Sequence, residues 1–429
     1  MDKLIVRGGN PLNGEVTISG GKNAVLPVIA ATILADNICE INAVPHLSDV
    51  YTINEVLHSL GAGVDFHDDV LVIDPRSINT CIAPYEYIQK MRASILILGP
   101  LLAKKGKAVV SAPGGCQIGS RPIDLHIKGL RALGAEIEIN DTTIEARLDG
   151  RFKGNKIYLD FPSVGATEHI MMAAALAEGT TIIENVAEEP EIVDLANFLN
   201  HLGANIRGAG TNMIKIEGVG RLGEKKVRHT IIPDRIEAGS YMLAAAISGG
   251  NVLIKNVIAD HIKPVIAKLQ EAGAQVEDED GNIRVIGPAA LKAADIKTLP
   301  YPGFPTDMQS PFMSLMAVAD GNCQITETIF ENRLMHAYQL NKMGADISVD
   351  GNVAMVKGVK KLHGAKVMAT DLRAGAGLII AALAAEGETE IYGTQHIDRG
   401  YENLLEKLCA IGAEITRVAI TEEEYNQVK

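Results

Sequence analysis

Apolar and polar positions along the chain fall into a pattern that recurs six times. A helix-period segment ("INEVLHSL", "HIKGLRAL", "LANFLNHL", "VIAKLQEA", "AYQLNKM", "ENLLEKLCAI") runs into a Gly-Ala pair, and the pair runs into alternating residues such as "AEIEIN" and "ADISVD". The pairs are Gly61-Ala62, Gly134-Ala135, Gly203-Ala204, Gly273-Ala274, Gly344-Ala345 and Gly412-Ala413, so successive glycines stand 73, 69, 70, 71 and 68 residues apart. A glycine between a helical and a strand period reads as a helix C-cap. Upstream of each pair lies a short, almost purely apolar stretch: "AVLPVIAATILA", "SILILGPLLA", "IMMAAALA", "YMLAAAI", "FMSLMAVA" and "LIIAALAA". With no polar face, these predict helices buried on every side.

A period near 70 residues exceeds the roughly 20 to 50 residues of common solenoid repeats and holds two helices with several short strands. Six units of that size predict two globular domains of three units each, divided near the polar, basic "GVGRLGEKKVRH". Helices without a wet face, flanked by strands, predict an inverted α/β arrangement with helices inside and sheets outside.

The 40 basic and 53 acidic side chains leave a formal charge of −13, which argues against nonspecific binding to nucleic acid or an anionic membrane. The N-terminal "MDKLIVRGG" is strand-like, and no apolar run approaches the about 18 residues that span a bilayer, so a soluble cytoplasmic protein without membrane insertion is expected. The five cysteines, at 39, 81, 116, 323 and 409, form no CxxC and no zinc pattern with histidine, and no metal ligand set is visible. Cys39, Cys323 and Cys409 read as packing residues and Cys81 as structural. The tail "TEEEYNQVK" reads as a solvated extension.

The six apolar helices begin at polar or charged residues: Lys22 and Asn23, Arg92, Ser163 to Thr167, Asp234 with Arg235, Asp307, and Asp371 with Arg373. Charged starts on buried helices are costly unless they open onto a shared wet cleft, which places an anion site between the domains. Taken singly, Asp234, Asp307 and Asp371 also read as helix caps, with the arginines as their ion-pair partners. A second candidate is the loop "SAPGGCQIGSRPIDLH": Pro113 to Gly134 is 21 residues, against 16 from Pro45 to Gly61. Gly114, Gly115 and Gly119 predict a lid around Cys116, with Arg121 before Pro122 just ahead of a helix. Cys116 is either a thiol set up for chemistry or a small loop residue.

In order along the whole chain, "GGKNAVLP", "KMRAS", "PGGCQIGSRPIDLH", "FPSVGATE", "PDRIEAG", "PTDMQSPF", "FENRL", "DLRAG" and "DRGYENL" resemble the UDP-N-acetylglucosamine 1-carboxyvinyltransferase family of enolpyruvyl transferases. The resemblance implies a two-domain inverted (inside-out) α/β barrel of six repeats, here with residues 22–231 as one domain, 1–21 plus 232–429 as the other, and the active site in the cleft. It implies transfer of the enolpyruvyl group of phosphoenolpyruvate to the 3′-hydroxyl of UDP-N-acetylglucosamine, with release of phosphate and no cofactor.

The resemblance also assigns residues. Cys116 is the acid to C3 of phosphoenolpyruvate and can form a covalent adduct with it, and Asp307 accepts the hydroxyl proton. Lys22, Asn23, Arg121, Arg333, Asp371, Arg373 and Arg399 hold phosphoenolpyruvate, with Lys22 and Arg399 also catalytic. Arg92, Arg121, Pro122, Ile123, Asp124, Leu125, Ser163, Val164, Gly165, Asp307 and Ile329 contact the nucleotide sugar. Closure of the glycine-rich loop over bound nucleotide sugar and inactivation by an epoxide mimic of phosphoenolpyruvate through Cys116 are expected with it. Gly21, His169 and Gly375 depart from the family's usual pattern and leave the charged residues in place. The alternatives are the shikimate-pathway enolpyruvyl transferase, disfavoured by "GGKNA" and "PGGCQIGSRP", a catalytically silent nucleotide-sugar-binding paralogue, and an RNA-end cyclase, disfavoured by the charge. No protein partner is indicated.

Overall fold

The computed structural model describes residues 1–83, 92–111, 123–140 and 142–428, and of residues 92–94 the backbone only. Cys116, Arg121, Pro122 and the Arg92 side chain therefore lie outside the described residues.

The six predicted junctions form in one way. Helices Ser48–Ser59, Asp124–Ala132, Pro190–His201, Lys263–Glu271, Ala337–Lys342 and Leu404–Ala410 each run out into the glycine of a Gly-Ala pair. Gly61, Gly134, Gly203, Gly273, Gly344 and Gly412 all take φ between 91° and 107°, a region a side chain disfavours. Each following alanine N–H bonds the carbonyl of the leucine five residues back (Leu57, Leu130, Leu199, Leu269, Leu340, Leu408) at 3.0 to 3.2 Å, which satisfies a carbonyl orphaned by the helix end.

The strands pair with equal regularity. Five four-stranded sheets share one order of pairings, one parallel and two antiparallel. In one of them Lys156–Tyr158 runs parallel to Thr180–Glu184, which is antiparallel to Met213–Glu217, itself antiparallel to Asn205–Arg207. Lys107–Ser111, Thr143–Arg147 and Glu136–Ile139 make the antiparallel part of the same pattern, with Ile82 adding a single parallel bridge to Val109. None of the sheets among the described residues closes on itself, so the sequence-based expectation of a barrel is met only as a mixed α/β fold of several open sheets.

The chain divides into two compact units. One takes in Met1–Ser19 and the chain from Pro233 onward; the other draws its described residues from Gly20 to Ile232. Each has its own apolar core, and no buried hydrophobic residue is shared between the two cores. The first unit contains the N-terminus because Asn13–Thr17 runs parallel to Asn251–Lys255, and Asp2–Arg7 lies between Glu388–Tyr392 and Glu414–Ala419.

The apolar helices fill these cores as expected. In Arg235–Ser248 every residue from Ile236 to Ile247 is buried, and in Leu372–Ala384 every residue from Arg373 to Leu383. Such crowding requires small residues. A methyl at Gly377 would stand 3.0 Å from the Ser310 carbonyl oxygen, and one at Gly129 2.2 Å from Ile170 Cδ1. Among the described residues no helix is long and apolar enough to cross a membrane.

Two minor expectations fail. Cys409 is exposed rather than packed, because Leu404 and Leu408 supply the buried side of its short helix. The tail forms a helix, Glu422–Asn426, whose Glu424 meets Lys3 and Tyr392, so it is tied to the first strand rather than simply solvated.

Candidate functional site

In the unit that starts at Pro233, the polar residues at the helix starts divide into two kinds. Asp234 caps Arg235–Ser248, its Oδ1 accepting from the N–H groups of Ile236 and Glu237 at 2.8 and 3.1 Å. Asp371 caps Leu372–Ala384 in the same way, accepting from Arg373 and Ala374 at 2.9 and 3.1 Å. These two conform to the plain cap reading.

Asp307 does not. It lies in the 3-10 turn Thr306–Met308 ahead of Gln309–Met316, and the residue at that helix's N-cap position is Met308, which has no side-chain cap. Its Oδ1 instead accepts from Arg333 Nη2 at 2.8 Å and its Oδ2 from Arg373 Nη2 at 3.0 Å. Each carboxylate oxygen is thus fixed by a different guanidinium, and the group is oriented on both sides.

The two arginines are themselves held. Arg333 Nη1 donates to Thr306 Oγ1 at 2.9 Å, and Thr306 donates to Glu327 Oε2 at 2.8 Å. Glu327, 1% exposed, also accepts from Thr298 Oγ1 and from the N–H groups of Ile329 and Phe330. The backbone at Ile329, a predicted nucleotide-sugar contact, is therefore set by a buried carboxylate that sequence reasoning passed over. On the other side the Arg373 guanidinium lies 5.4 Å from the Tyr401 ring centroid, and Tyr401 bonds Ser240 Oγ at 2.8 Å. Burial works against the charge of Arg373, but Asp307, Tyr401 and Asp234 outweigh it and hold the guanidinium above its ordinary pKa. Arg333 Nε and Arg373 Nη1 are buried without a hydrogen-bond partner among the described residues, a cost tolerated at sites built for something other than stability.

Arg399 is half-buried in the turn after the short helix Thr394–Ile397. Its neighbour Asp398 is gripped by both ends of the Arg417 guanidinium at 2.6 and 2.9 Å. The field of Arg399 reaches His396, whose pKa is lowered mainly by burial and then by that charge, with Asp371 opposing. His336, behind Arg333, is pushed down to about 4 chiefly by burial and accepts nothing from Arg333 but bonds its carbonyl at 3.1 Å, so it stays neutral.

In the other unit, Lys22 begins helix Lys22–Ala31 and its Nζ meets Asp49 Oδ2 at 2.7 Å, the lysine side chain 12% and the carboxylate 5% exposed. Asn23 beside it is exposed. Asp49, 27 residues along, carries no sequence signal as a partner. Asp124 is exposed at the start of Asp124–Ala132, with Ile123 and Leu125 half-buried around it. Ser163 caps Val164–Ala174, its Oγ accepting from Ala166 N–H at 3.3 Å, and leaves Val164 and Gly165 partly exposed on the first turn. That helix start is an N–H-rich terminus suited to an anionic or polar ligand group.

Tyr401 and Glu327, which support Arg373 and Arg333, were passed over by sequence reasoning. Tyr401 lies inside the quoted "DRGYENL", two residues after Arg399, so a signal was present; Glu327, just ahead of "FENRL", had none. Among the described residues no cluster of three or more His, Cys, Asp or Glu could ligate a metal ion.

Comparison with known proteins places this arrangement. Residues 6–408 match the family model described as EPSP synthase (3-phosphoshikimate 1-carboxyvinyltransferase). In solved structures, an enolpyruvyl transferase, NikO, from Streptomyces tendae superposes with a TM-score of 0.89 at 25% identity, covering 98% of this chain and 99% of that one. An EPSP synthase from Acinetobacter baumannii shares the fold at a TM-score of 0.75 and 20% identity, over 98% and 100% of the two chains. UDP-N-acetylglucosamine 1-carboxyvinyltransferase 1 of Halalkalibacterium halodurans is 55% identical over 429 residues, 100% of this chain and 97% of that protein. UDP-N-acetylglucosamine 1-carboxyvinyltransferase 2 of Carboxydothermus hydrogenoformans is 56% identical over 421 residues, 98% of this chain and 100% of that protein. With identity of that order sustained from end to end, the chain belongs to the UDP-N-acetylglucosamine 1-carboxyvinyltransferase family of enolpyruvyl transferases.

Proposed function

We propose that this protein transfers the enolpyruvyl group of phosphoenolpyruvate to the 3′-hydroxyl of UDP-N-acetylglucosamine and releases phosphate, the step that opens peptidoglycan synthesis. The observation that carries the reading beyond family membership is Asp307, whose two carboxylate oxygens are held by Arg333 and Arg373.

The reaction needs three things: a base for the sugar hydroxyl, an acid for C3 of phosphoenolpyruvate, and cations for its phosphate and carboxylate. In the addition, the hydroxyl oxygen bonds C2 as its proton leaves to Asp307, and C3 gains a proton from Cys116. In the elimination, C3 loses a proton, the C2–O bond to phosphate breaks, and the double bond returns. Arg333, Arg373 and Arg399, with Lys22 and Arg121, supply the positive charge for phosphoenolpyruvate, Asn23 adds a neutral contact beside Lys22, and Asp371 fixes the first turn that carries Arg373. Arg92, the run Arg121 to Leu125, Ser163 to Gly165, Asp307 and Ile329 take the nucleotide sugar. A carboxylate oriented on both sides removes its proton without first having to be positioned, which is the use of the two arginines.

The same reading treats the fold as six repeats in two inverted α/β domains, 22–231 and 1–21 plus 232–429. It is supported by the six identical helix-glycine-strand junctions and the repeated strand order. A cytoplasmic location goes with it. Phosphate release from phosphoenolpyruvate in the presence of UDP-N-acetylglucosamine tests the reaction, and its absence would leave a silent binding paralogue.

A further inference from the structure

Glu327 stands at the end of two parallel strands, Ile296–Lys297 and Asn322–Thr326, whose pairing runs on into Thr298, the N–H of Thr298 donating to the Thr326 carbonyl at 2.9 Å. The two oxygens of its buried carboxylate have different partners. Oε1 closes the local turn, accepting from Ile329 N–H at 2.7 Å, Phe330 N–H at 3.2 Å and Thr298 Oγ1 at 2.9 Å. Among the described residues Oε2 has one partner, Thr306 Oγ1 at 2.8 Å, and Thr306 lies 21 residues back in the chain, next to Asp307. Closing the turn uses only the first oxygen.

The direction of each hydroxyl bond is fixed by its partners. A guanidinium only donates, so the contact of Arg333 Nη1 with Thr306 Oγ1 at 2.9 Å uses a lone pair of the hydroxyl, and the hydroxyl proton goes to Glu327 Oε2. Thr298 behaves alike: it accepts from Thr328 N–H at 2.8 Å and gives its proton to Glu327 Oε1. Glu327 thus holds the Thr306 hydroxyl with a lone pair turned to the arginine.

Arg333 depends on that lone pair. Its Nε is buried without a hydrogen-bond partner, so among the described residues the guanidinium is tied by two hydrogen bonds, Nη1 to Thr306 and Nη2 to Asp307 Oδ1 at 2.8 Å, with its Cζ 5.1 Å from the Phe330 ring centroid. Two bonds from different nitrogens fix the plane and the rotation of a planar fork, whereas one leaves it free to swing about the contact that remains. Here the contact that would remain is the one to Asp307.

We infer that Thr306 and Glu327 are positioning residues for Asp307: Glu327 Oε2 orients the Thr306 hydroxyl, Thr306 orients Arg333, and Arg333 sets the Oδ1 side of the carboxylate for the sugar hydroxyl. Both act through Arg333 rather than on the substrate. The inference rests on the function proposed above, which makes Asp307 the base.

Steady-state kinetics and thermal midpoints of four variants test it. Thr306→Val removes the hydroxyl and keeps the shape, while Thr306→Ser keeps the hydroxyl. Glu327→Gln can leave its carbonyl oxygen on the three donors of the turn and puts an amide N–H where Oε2 stood, so that the Thr306 hydroxyl faces two donors. Thr306→Val and Glu327→Gln are each expected to lower kcat about tenfold, with KM for UDP-N-acetylglucosamine within about threefold of wild type. Thr306→Ser is expected to recover kcat to within about threefold of wild type. The double variant Thr306→Val/Glu327→Gln should fall no lower than the worse single variant, because both changes break the same chain. A role in stability alone would lower the thermal midpoint and leave kcat of the folded enzyme unchanged. That result in Thr306→Val overturns the inference, as does a Thr306→Ser enzyme as impaired as Thr306→Val, or a double variant in which the two losses multiply. If Glu327→Gln does not fold, Thr306→Val against Thr306→Ser decides alone. A wild type without turnover with UDP-N-acetylglucosamine overturns the functional proposal and this inference together; turnover in wild type with an unimpaired Thr306→Val overturns the inference only.

Discussion

Arg373 holds Asp307 from a position that solvent scarcely reaches: Nη2 stands 3.0 Å from Oδ2, with the arginine side chain 4% and the carboxylate 24% exposed. The partly open member of the pair is the carboxylate, whose other oxygen is held by an equally buried Arg333. A pair built for stability alone has no need to leave its anion accessible, and a base that must meet a substrate hydroxyl does.

Asp307→Asn keeps the shape and the acceptor to one arginine but cannot take a proton. Turnover is expected to fall about 10²- to 10⁴-fold, the range for removing a general base, while nucleotide-sugar binding changes only a few-fold. Leaving two buried guanidiniums with a neutral partner is expected to cost about 2 kcal/mol, less than for a wholly buried pair because Asp307 is partly solvated. Calorimetric binding and steady-state kinetics on the same preparation check this; unchanged kcat would remove Asp307 from the role of base.

Cys116, outside the described residues, is expected to be the point of attack for an epoxide analogue of phosphoenolpyruvate. Intact-mass measurement should find one covalent addition in wild type and none in Cys116→Asp. Addition to the variant would place the reactive group elsewhere.

Glu237 supplies a pH dependence of stability. It is buried in helix Arg235–Ser248, where it accepts from Ser19 N–H at 2.9 Å and from Lys407 at 2.6 Å. Burial pushes its carboxyl up to about 7, with Lys407 and the Ser19 bond pulling down and Asp234 pushing up. The folded protein therefore holds this proton more tightly than the unfolded chain, where the carboxyl titrates near 4.5. Stability from this group is present in full below about pH 4.5 and is lost as pH rises through about 7. Thermal midpoints across that window should decline more in wild type than in Glu237→Gln. Parallel profiles would contradict the assignment.

Gly129→Ala tests the close packing of the buried helices. The added methyl would meet Ile170 in a core with no room to give, and a loss of about 1 to 3 kcal/mol is expected. Ile170→Val in the same chain should recover part of it in denaturant titrations. Additive losses would place the strain elsewhere.

The junctions were legible in the sequence because a helix that turns into a strand needs φ near +100° at one residue, and glycine is the residue that accepts it. The uniformly apolar stretches were legible for a similar reason, since a helix with no polar face has to be buried. Side-chain partnerships across long separations were not. Nothing in the sequence tells that Asp234 and Asp371 cap while Asp307, in the same kind of position, pairs with arginines 26 and 66 residues away. Cys409 was misjudged for a related reason: a short helix shows its buried face through two leucines, and the cysteine between the next turn and the glycine falls on the other side. His169 stood out only as a departure from the family pattern, and its contact with His126 spans 43 residues of chain.

The central claim is the acceptor. Phosphate release from phosphoenolpyruvate should be followed with UDP-N-acetylglucosamine, in parallel with shikimate 3-phosphate, using wild type and Cys116→Ser. The account predicts release with the nucleotide sugar alone, lost in the variant; release with shikimate 3-phosphate, or none with either acceptor, would contradict it.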